Sequence, residues 1–174
     1  MNAVIRNGFL YTCHHVGLMG TNGVDATNDA SGASVDRSAI QWLQFQLDPA
    51  GAGLSYRRHG RVFDAAPTNP WYYYFPSIGV NCASEVVLGF SGSATNQYIG
   101  AFFAWRPIAC AVEDPPFQFH QGTAHWPGSR WGDYSATFSD PADGEAVWTV
   151  QQYAITGNEG DAWATWIARI KRKQ

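Results

Sequence analysis

AIQWLQFQ (39–46), IGAFFAWR (99–106) and WATWIARI (163–170) are three strand-length segments with aromatic residues at similar places near their centres. They recur at intervals of roughly 60 residues. Repetition of this kind is typical of architectures that stack copies of one structural unit. The three segments therefore decide the fold that we expect, which is three copies of a β-unit.

Two further strand-like runs precede each of these segments. Those directly upstream are FLYTCHHV (9–16), EVVLGFSG (85–92) and EAVWTVQQY (145–153), and those before them are AVIRN (3–7), FPSIGVN (75–81) and DYSATFSD (133–140). Turn signals separate the two runs of each unit at Asn7-Gly8, at 81–84 and at 140–144. Asn-Gly and Asp-Gly favour tight hairpins, because type I′ turns need a positive φ at both central residues. Between the second and third strands, we expect a long polar loop at 17–38 and shorter loops at 91–97 and 155–161.

A fourth strand follows in two of the units, LSYRRHGRVF (54–63) and PFQFHQG (116–122). Antiparallel units of three to four strands are typical of β-propeller blades. We therefore predict an all-β, single-domain chain of about three antiparallel blades, at about 1–67, 68–124 and 125–174, with the last blade incomplete. An ordinary β-sandwich is the alternative. Because three blades do not close a ring, we expect self-association, most simply of two chains into a six-bladed ring.

The composition agrees with an all-β chain. Of the 174 residues, 45% are hydrophobic, 15% are aromatic and only 14% are charged, and aromatic side chains suit pleated sheets better than helices. The net charge of −3 gives no reason to expect a nucleic-acid partner. We expect no membrane partner either, and without a visible signal peptide the chain as written is expected to be cytoplasmic. Three cysteines cannot all pair, so we expect free buried thiols, with a Cys82–Cys110 bridge as the alternative.

FPSIGVNCASEVVLGFSGS (75–93) resembles the blade pattern of sialidase-like propellers. With NAVIRNG–FLYTCHH and RWGDYSATFSDP–EAVWTVQQYA, it is similar to the C-terminal blades of large bacterial secreted proteins of uncharacterised function. The resemblance implies a propeller fold and secreted full-length relatives. That the chain is a fragment of a larger secreted protein, with no separate role, is one alternative to the functions considered below. It does not imply sialidase activity, because the arginine triad, the nucleophile and the S-x-D-x-G-x-x-W pattern of true sialidases are not found here.

Histidines near acidic and basic residues are the candidate catalytic groups. His15 and His125 can act as general bases, Asp133 can orient an imidazole, and Arg130 can clamp an anion. The alternatives are that His15 is a hydrogen-bonded residue at a strand end, and that Arg130 pairs with Asp133 while Trp131 fills a gap between blades.

The same residues provide candidate metal ligands. A cluster of His14, His15, His120 and Asp133 could bind Zn²⁺. Calcium could bind in either of two oxygen-rich loops, made of Asp25, Asn28, Asp29 and Asp36 or of Asp140, Asp143 and Glu145. Asp and Asn also favour turns on their own account, which is the alternative for both loops.

Aromatic side chains supply candidate binding residues. The run NPWYYYFP (69–76) could stack sugar rings through Trp71 and Tyr73. His14, Trp131 and Tyr134 complete the predicted binding set for a glycan or small molecule.

Two functions remain after motif analysis. The chain has no GxSxG, no phosphate-binding loop, no HExxH and no GxGxxG, which removes the common serine-hydrolase, nucleotide, zincin and dinucleotide classes. We expect a hydrolase that acts on a polar ester, phosphoester or glycoside at the mouth of an oligomeric propeller, by general-base or metal-assisted attack of water. The alternative is a non-catalytic module that binds a glycan or a protein.

Overall fold

Twelve β-strands and no α-helix make up the part of the chain that the computed structural model describes, residues 2–26, 35–51, 53–107, 114–157 and 160–172. This confirms the all-β prediction. The strands are β1 (Asn2–Arg6), β2 (Phe9–Met19), β3 (Val24–Asp25), β4 (Arg37–Leu47), β5 (Leu54–Val62), β6 (Tyr72–Val80), β7 (Val86–Ala94), β8 (Gln97–Arg106), β9 (Phe117–His120), β10 (Ala136–Ser139), β11 (Val147–Gly157) and β12 (Gly160–Ile170).

The strands form three antiparallel sheets that follow one another along the chain. The first sheet has the order β1-β2-β4-β5, with β3 added beside the end of β2. The second has the order β6-β7-β8-β9, and the third has the order β10-β11-β12. Every strand predicted from the sequence lies in its expected sheet position, and only the two-residue β3 was not predicted.

Tight turns join the strands, as the sequence indicated at Asn7-Gly8. Asn7 has a φ of 50° and Gly8 a φ of 79°, the positive values that a type I′ turn needs. The predicted loops at 91–97 and 155–161 are largely strand instead. Antiparallel pairing continues to Ala94–Gln97 in one hairpin and to Gly157–Gly160 in the other, which leaves two residues at each tip.

Apolar side chains fill the first interface, between the first and second sheets. Its buried members are Tyr11, Cys13, Ile40, Trp42, Val62, Tyr73, Ile78, Val80, Val86, Leu88, Phe90, Phe102 and Ala104. Trp42 is fully buried, and the guanidinium of Arg106 lies 5.1 Å from the centre of its ring. Removal of this apolar surface from water holds the two sheets together.

Polar side chains occupy much of the second interface, between the second and third sheets. Ser77 of β6 lies 2.7 Å from Thr137 of β10, and Thr137 lies 2.9 Å from Thr149 of β11. Gln151 donates hydrogen bonds from Nε2 to Ser77 and to Thr149, both at 2.9 Å. Mutual hydrogen bonding offsets the cost of burying these groups. A smaller apolar cluster beside them contains Val87, Trp105, Val147 and Ile170.

Gly89 of β7 allows the second and third sheets to approach each other closely. A Cβ at this position would lie 2.7 Å from the hydroxyl of Thr137, and nearer still to Thr149 Oγ1 and Gln151 Nε2. The polar network therefore occupies the space that any side chain of residue 89 would need.

The cysteines differ in their surroundings. Cys13 is buried, and burial raises the pKa of its thiol to about 12. Cys82 is exposed, so the expectation of buried thiols is wrong for this residue, which lies in a surface turn rather than in a strand. Cys110, and with it the Cys82–Cys110 alternative, lies outside the described residues.

No helix of sufficient length and hydropathy to cross a membrane occurs in the described ranges.

Candidate functional site

Segments from all three sheets meet at one groove, with a volume of about 520 Å³. We call it the convergence groove. It is lined by Asn2, His14, His15, Phe75, Pro76, Gly132 and Ser135. Asn2, His14 and His15 belong to the first sheet. Phe75 and Pro76 belong to β6, and Gly132 and Ser135 belong to the segment that leads into β10.

The strand pairing of the first sheet positions two residues of the groove. Among the described residues, β1 pairs with β2 as far as Cys13, which lies opposite Asn2, and β3 pairs with β2 at Leu18 and Met19. His14 and His15 lie between these two paired segments of β2. Both predicted candidates therefore line the groove.

Phe75 forms the wall opposite His15. Their rings meet edge to face, with centroids 5.5 Å apart. Phe75 has a φ of 51°, a left-handed conformation that is rare for a bulky residue, and it lies in an irregularity of the β6–β7 pairing. Backbone strain of this kind clusters at functional sites.

Gly132 supports the ring of Phe75. It has a φ of 90°, and a Cβ at this position would overlap the ring. Its amide donates a hydrogen bond to Gln152 Oε1 at 3.1 Å, which fixes the loop to the third sheet. Only glycine satisfies both the backbone conformation and the close approach of the ring.

Ser135 connects the groove to the polar second interface. Its hydroxyl lies 2.9 Å from Ser77 Oγ and 2.8 Å from Gln151 Oε1. The floor of the groove therefore continues into a hydrogen-bonded network that holds its position.

The two histidines of the groove have different environments. Partial burial, and then the neighbouring His14, lower the pKa of His15. A lowered pKa favours the neutral imidazole, the form that accepts a proton or a hydrogen bond. His14 Nδ1 is buried and has no hydrogen-bond partner among the described residues.

Arg130 and Asp133 pair with each other rather than with the histidines. Their side chains are 83% and 54% exposed, and Arg130 Nη2 lies 2.9 Å from Asp133 Oδ2. Trp131 donates a hydrogen bond from Nε1 to Ser91 of β7 at 3.1 Å, and it contacts the ring of Trp126. This is the arrangement of the alternative interpretation, in which the charges pair locally and the indole fills a gap between sheets.

The candidate zinc ligands do not come together. His120 lies at the end of β9 and stacks on Trp166, with centroids 4.0 Å apart, and burial lowers its pKa. β9 is separated from β6, which bears Phe75, by the width of the sheet, about 14 Å. His125 lines a different pocket, described below. Among the described residues, no group of three or more His, Cys, Asp or Glu side chains could hold a metal ion.

The described carboxylates of the two acidic loops pair with arginine and lysine side chains of the protein. Asp25 pairs with Arg61 and Asp36 pairs with Arg37, both at 2.8 Å. In the other loop, the partners are Asp140 with Arg169, Asp143 with Arg169 and Lys171, and Glu145 with Lys171. The calcium candidates Asn28 and Asp29 lie outside the described residues.

Of two predicted sugar-stacking residues, Tyr73 lies in the core and Trp71 packs against it, half-buried. Tyr73 is only 5% exposed and packs on Phe90 and Phe102, and Trp71 stacks on Tyr73. Their rings are therefore used in the first interface. Tyr134, by contrast, is 49% exposed and stacks on Trp163 on the third sheet.

Sequence reasoning missed Asn2, Phe75, Pro76, Gly132 and Ser135 as members of the groove. A residue before proline is expected to be extended, so no local sequence signal predicts the φ of 51° at Phe75.

No protein-family model matches the chain, and a search of curated proteins finds no match either. The resemblance to sialidase-like propellers therefore stays a prediction.

Proposed function

We propose that the protein is a self-associating binding module: its three sheets are propeller blades, two copies close a ring, and the convergence groove at the mouth binds a glycan or another small polar ligand. The observation that carries the binding function is the groove itself. Strands of the first and second sheets and the segment that leads into the third contribute to it, and Phe75 is held there in a costly backbone conformation.

The outer face of the first sheet supports self-association. A row of side chains crosses it, because Ile5 pairs with Leu10, Leu10 with Phe45, and Phe45 with Tyr56. Ile5 is 65% exposed and Tyr56 is 54% exposed. A row of apolar side chains on a sheet face is the surface that a neighbouring blade would cover.

The outer face of the third sheet offers a comparable surface. Thr137 and Thr149 point to the second sheet, so their neighbours Phe138 and Trp148, which pair with each other, point away from it. Phe138 is 49% exposed and Ile167 is 61% exposed. In a dimer with twofold symmetry, this face of each copy meets the first-sheet face of the other, and no apolar face stays bare.

The chemistry of the groove suits a ligand that combines an apolar surface with hydroxyl groups. Phe75 and His15 present rings, on which the C–H face of a sugar can pack. Asn2 and Ser135 present an amide and a hydroxyl that exchange hydrogen bonds with ligand hydroxyls. Among the described residues that line the groove there is no carboxylate or guanidinium, which favours a neutral or weakly polar ligand over a strongly charged one.

A hydrolase acting at the same groove is the second candidate. The lowered pKa of His15 favours it, because a neutral imidazole can take a proton from an attacking water molecule. The substrate would be a polar ester, a phosphoester or a glycoside. A metal-assisted version needs further ligands, because among the described residues no three of the suggested His and Asp side chains come together as a metal-binding group.

Glycan-array binding combined with turnover assays tests both functions. We expect a glycan to bind, without turnover, and to lose affinity in Phe75→Ala and His15→Ala. Phe117→Ala is the control, because this phenylalanine is 57% exposed and lies outside the groove. Hydrolysis of nitrophenyl ester, phosphoester or glycoside substrates that His15→Ala abolishes would favour the hydrolase, and sensitivity to chelators would add a metal. Absence of both binding and turnover would overturn both proposals.

A further inference from the structure

A second pocket, with a volume of about 420 Å³, lies at the tip of the β7–β8 hairpin. We call it the hairpin pocket. One wall is formed by residues 93–99 and the other by residues 124–126 of the segment between β9 and β10. The volume is within the range of small-molecule sites in proteins, about 300–1,000 Å³.

The hairpin wall is fixed by Asn69. Its Nδ2 donates a hydrogen bond to Asn96 Oδ1 at 2.8 Å, and its Oδ1 accepts one from the amide of Thr95 at 3.1 Å. Asn69 itself has a φ of 51°, so the backbone before β6 is shaped to present this side chain to the hairpin tip. The wall is therefore organised before a ligand arrives, which lowers the cost of binding.

The opposite wall is fixed by packing around Trp126. A Cβ at Gly128 would overlap the Trp126 ring, and the ring of Trp131 meets it edge to face with centroids 5.5 Å apart. The amide of Thr123 donates to the carbonyl of Ala154, which ties the segment to β11. This wall is therefore also held in place without a ligand.

The side chains of the hairpin pocket combine rings and amides. Tyr98, which is 49% exposed, lines the pocket together with His125, Trp126, Asn96 and Gln97. Among the described residues of its lining there is no Asp, Glu, Lys or Arg. An amide offers a donor and an acceptor side by side, as neighbouring sugar hydroxyls require, and a ring packs on the C–H face of the sugar.

From this combination we infer that the hairpin pocket binds a neutral hexose unit, either free or as part of a glycan. The site is separate from the convergence groove and does not depend on it. Tyr98 stacks on the sugar ring, and Asn96 and Gln97 hydrogen-bond its hydroxyls.

Ligand-observed NMR with methyl glycosides of glucose, galactose and mannose tests this proposal, with methyl glucuronide as the charged comparison. At least one neutral glycoside should bind, and the glucuronide should bind more weakly, because no lysine or arginine among the described lining residues can pair with its carboxylate. Tyr98→Ala should weaken binding about tenfold or more. His125→Ala, on the other wall, should also weaken it, which keeps the test decisive if Tyr98→Ala fails to fold.

Tyr72→Ala is the matched control, because this tyrosine is also exposed on the second sheet but does not line the pocket. It should leave the affinity unchanged. The proposal is overturned if no neutral glycoside binds, if folded Tyr98→Ala and His125→Ala bind as well as the wild type, or if the glucuronide binds equally well.

Discussion

The second sheet is held on its two sides by opposite kinds of chemistry. Toward the first sheet it presents Ile78, Leu88 and Phe90, which pack into an apolar core. Toward the third sheet it presents Ser77 and Gly89, which belong to a hydrogen-bonded network or make room for it. Residues of one strand thus serve both interfaces, because successive side chains point to opposite faces.

The difference shows what each interface requires of its residues. The apolar interface depends on volume, so removing a large ring should cost most there. The polar interface depends on geometry, since each buried group must keep its partner. A small change of shape or a lost hydroxyl should therefore matter more at the second interface than at the first.

The largest effect is expected for Trp42→Ala at the first interface. Trp42 is fully buried beneath Arg106, and loss of such a ring should lower the free energy of unfolding by about 3–5 kcal/mol. Urea denaturation at a fixed protein concentration measures it. Phe117→Ala, at a 57% exposed ring, should cost no more than about 1 kcal/mol. Equal losses in the two variants would show that the first interface is not the main core.

Gly89→Ala should be next, at the second interface. The added methyl group overlaps Thr149 Oγ1 and Gln151 Nε2, so the network must shift, at a cost of about 1–3 kcal/mol. Gly53→Ala is the matched control, because a Cβ there has no neighbour within 4 Å, and it should change stability by less than about 1 kcal/mol. A Gly89→Ala protein as stable as Gly53→Ala would contradict the close approach of the second and third sheets at Gly89.

Thr149→Val should have a smaller effect, because it keeps the volume and removes one hydroxyl. Thr149 Oγ1 lies 2.9 Å from Thr137 Oγ1 and accepts from Gln151 Nε2. Leaving these partners incompletely satisfied should cost about 1–2 kcal/mol in denaturation experiments. Thr156→Val, at an exposed position of the same strand, is expected to be within about 0.5 kcal/mol of the wild type. A fully stable Thr149→Val protein would indicate that shape, not hydrogen bonding, holds the second interface.

The smallest effect concerns the acid stability of the third sheet. The hydrogen bond from Arg169, and then the amide of Ala142, lower the pKa of Asp140 to about 2. An Asp side chain in an unfolded chain titrates at about 3.9. The stabilisation that the Asp140 carboxylate gives the folded protein is therefore present above about pH 4 and is lost as the pH falls toward about 2. Asp140→Asn should therefore flatten the fall of Tm between these pH values, and Arg169→Gln should flatten it similarly. Wild-type slopes in both variants would contradict the assignment.

Much of the strand order could be predicted from the sequence, because it depends on local signals. Alternation and the Asn7-Gly8 turn identified the hairpins, and apolar runs identified the inner strands. The two-residue strand β3 has no local signal, since only its pairing with Leu18 and Met19 defines it. The polar residues around Thr95 and Asn96 predict a loop, whereas antiparallel pairing continues to Ala94 and Gln97.

Residue-by-residue alignment of the units is harder to predict than the strand order. If the second strands are matched so that His14 corresponds to Ser91, Cys13 falls opposite Phe90, but Cys13 faces the following sheet, whereas Phe90 faces the preceding one. A shift of one residue exchanges the two faces of a strand, and similar hydrophobic residues do not reveal it. Equivalences based on that alignment, such as His14 with Ser91, therefore fail for the second unit.

The site could be predicted only in part. His14 and His15 could be identified as chemically competent, and both line the convergence groove. Phe75 and Gly132 could not be joined from the sequence, because their contact depends on how two sheets stack. Arg130 and Asp133 are near in sequence, and the structure shows that each serves mainly as the partner of the other.

Sedimentation velocity of the wild type and of three glutamate variants tests the closed ring most directly. We predict a mass of twice 19.1 kDa for the wild type. Ile5→Glu and Ile167→Glu place a charge on the two outer faces and should each give the single-chain mass, whereas Phe117→Glu, on the second sheet, should stay a dimer. A wild type that sediments as a single chain at micromolar concentration, or a dimer that survives both outer-face variants, would contradict the account.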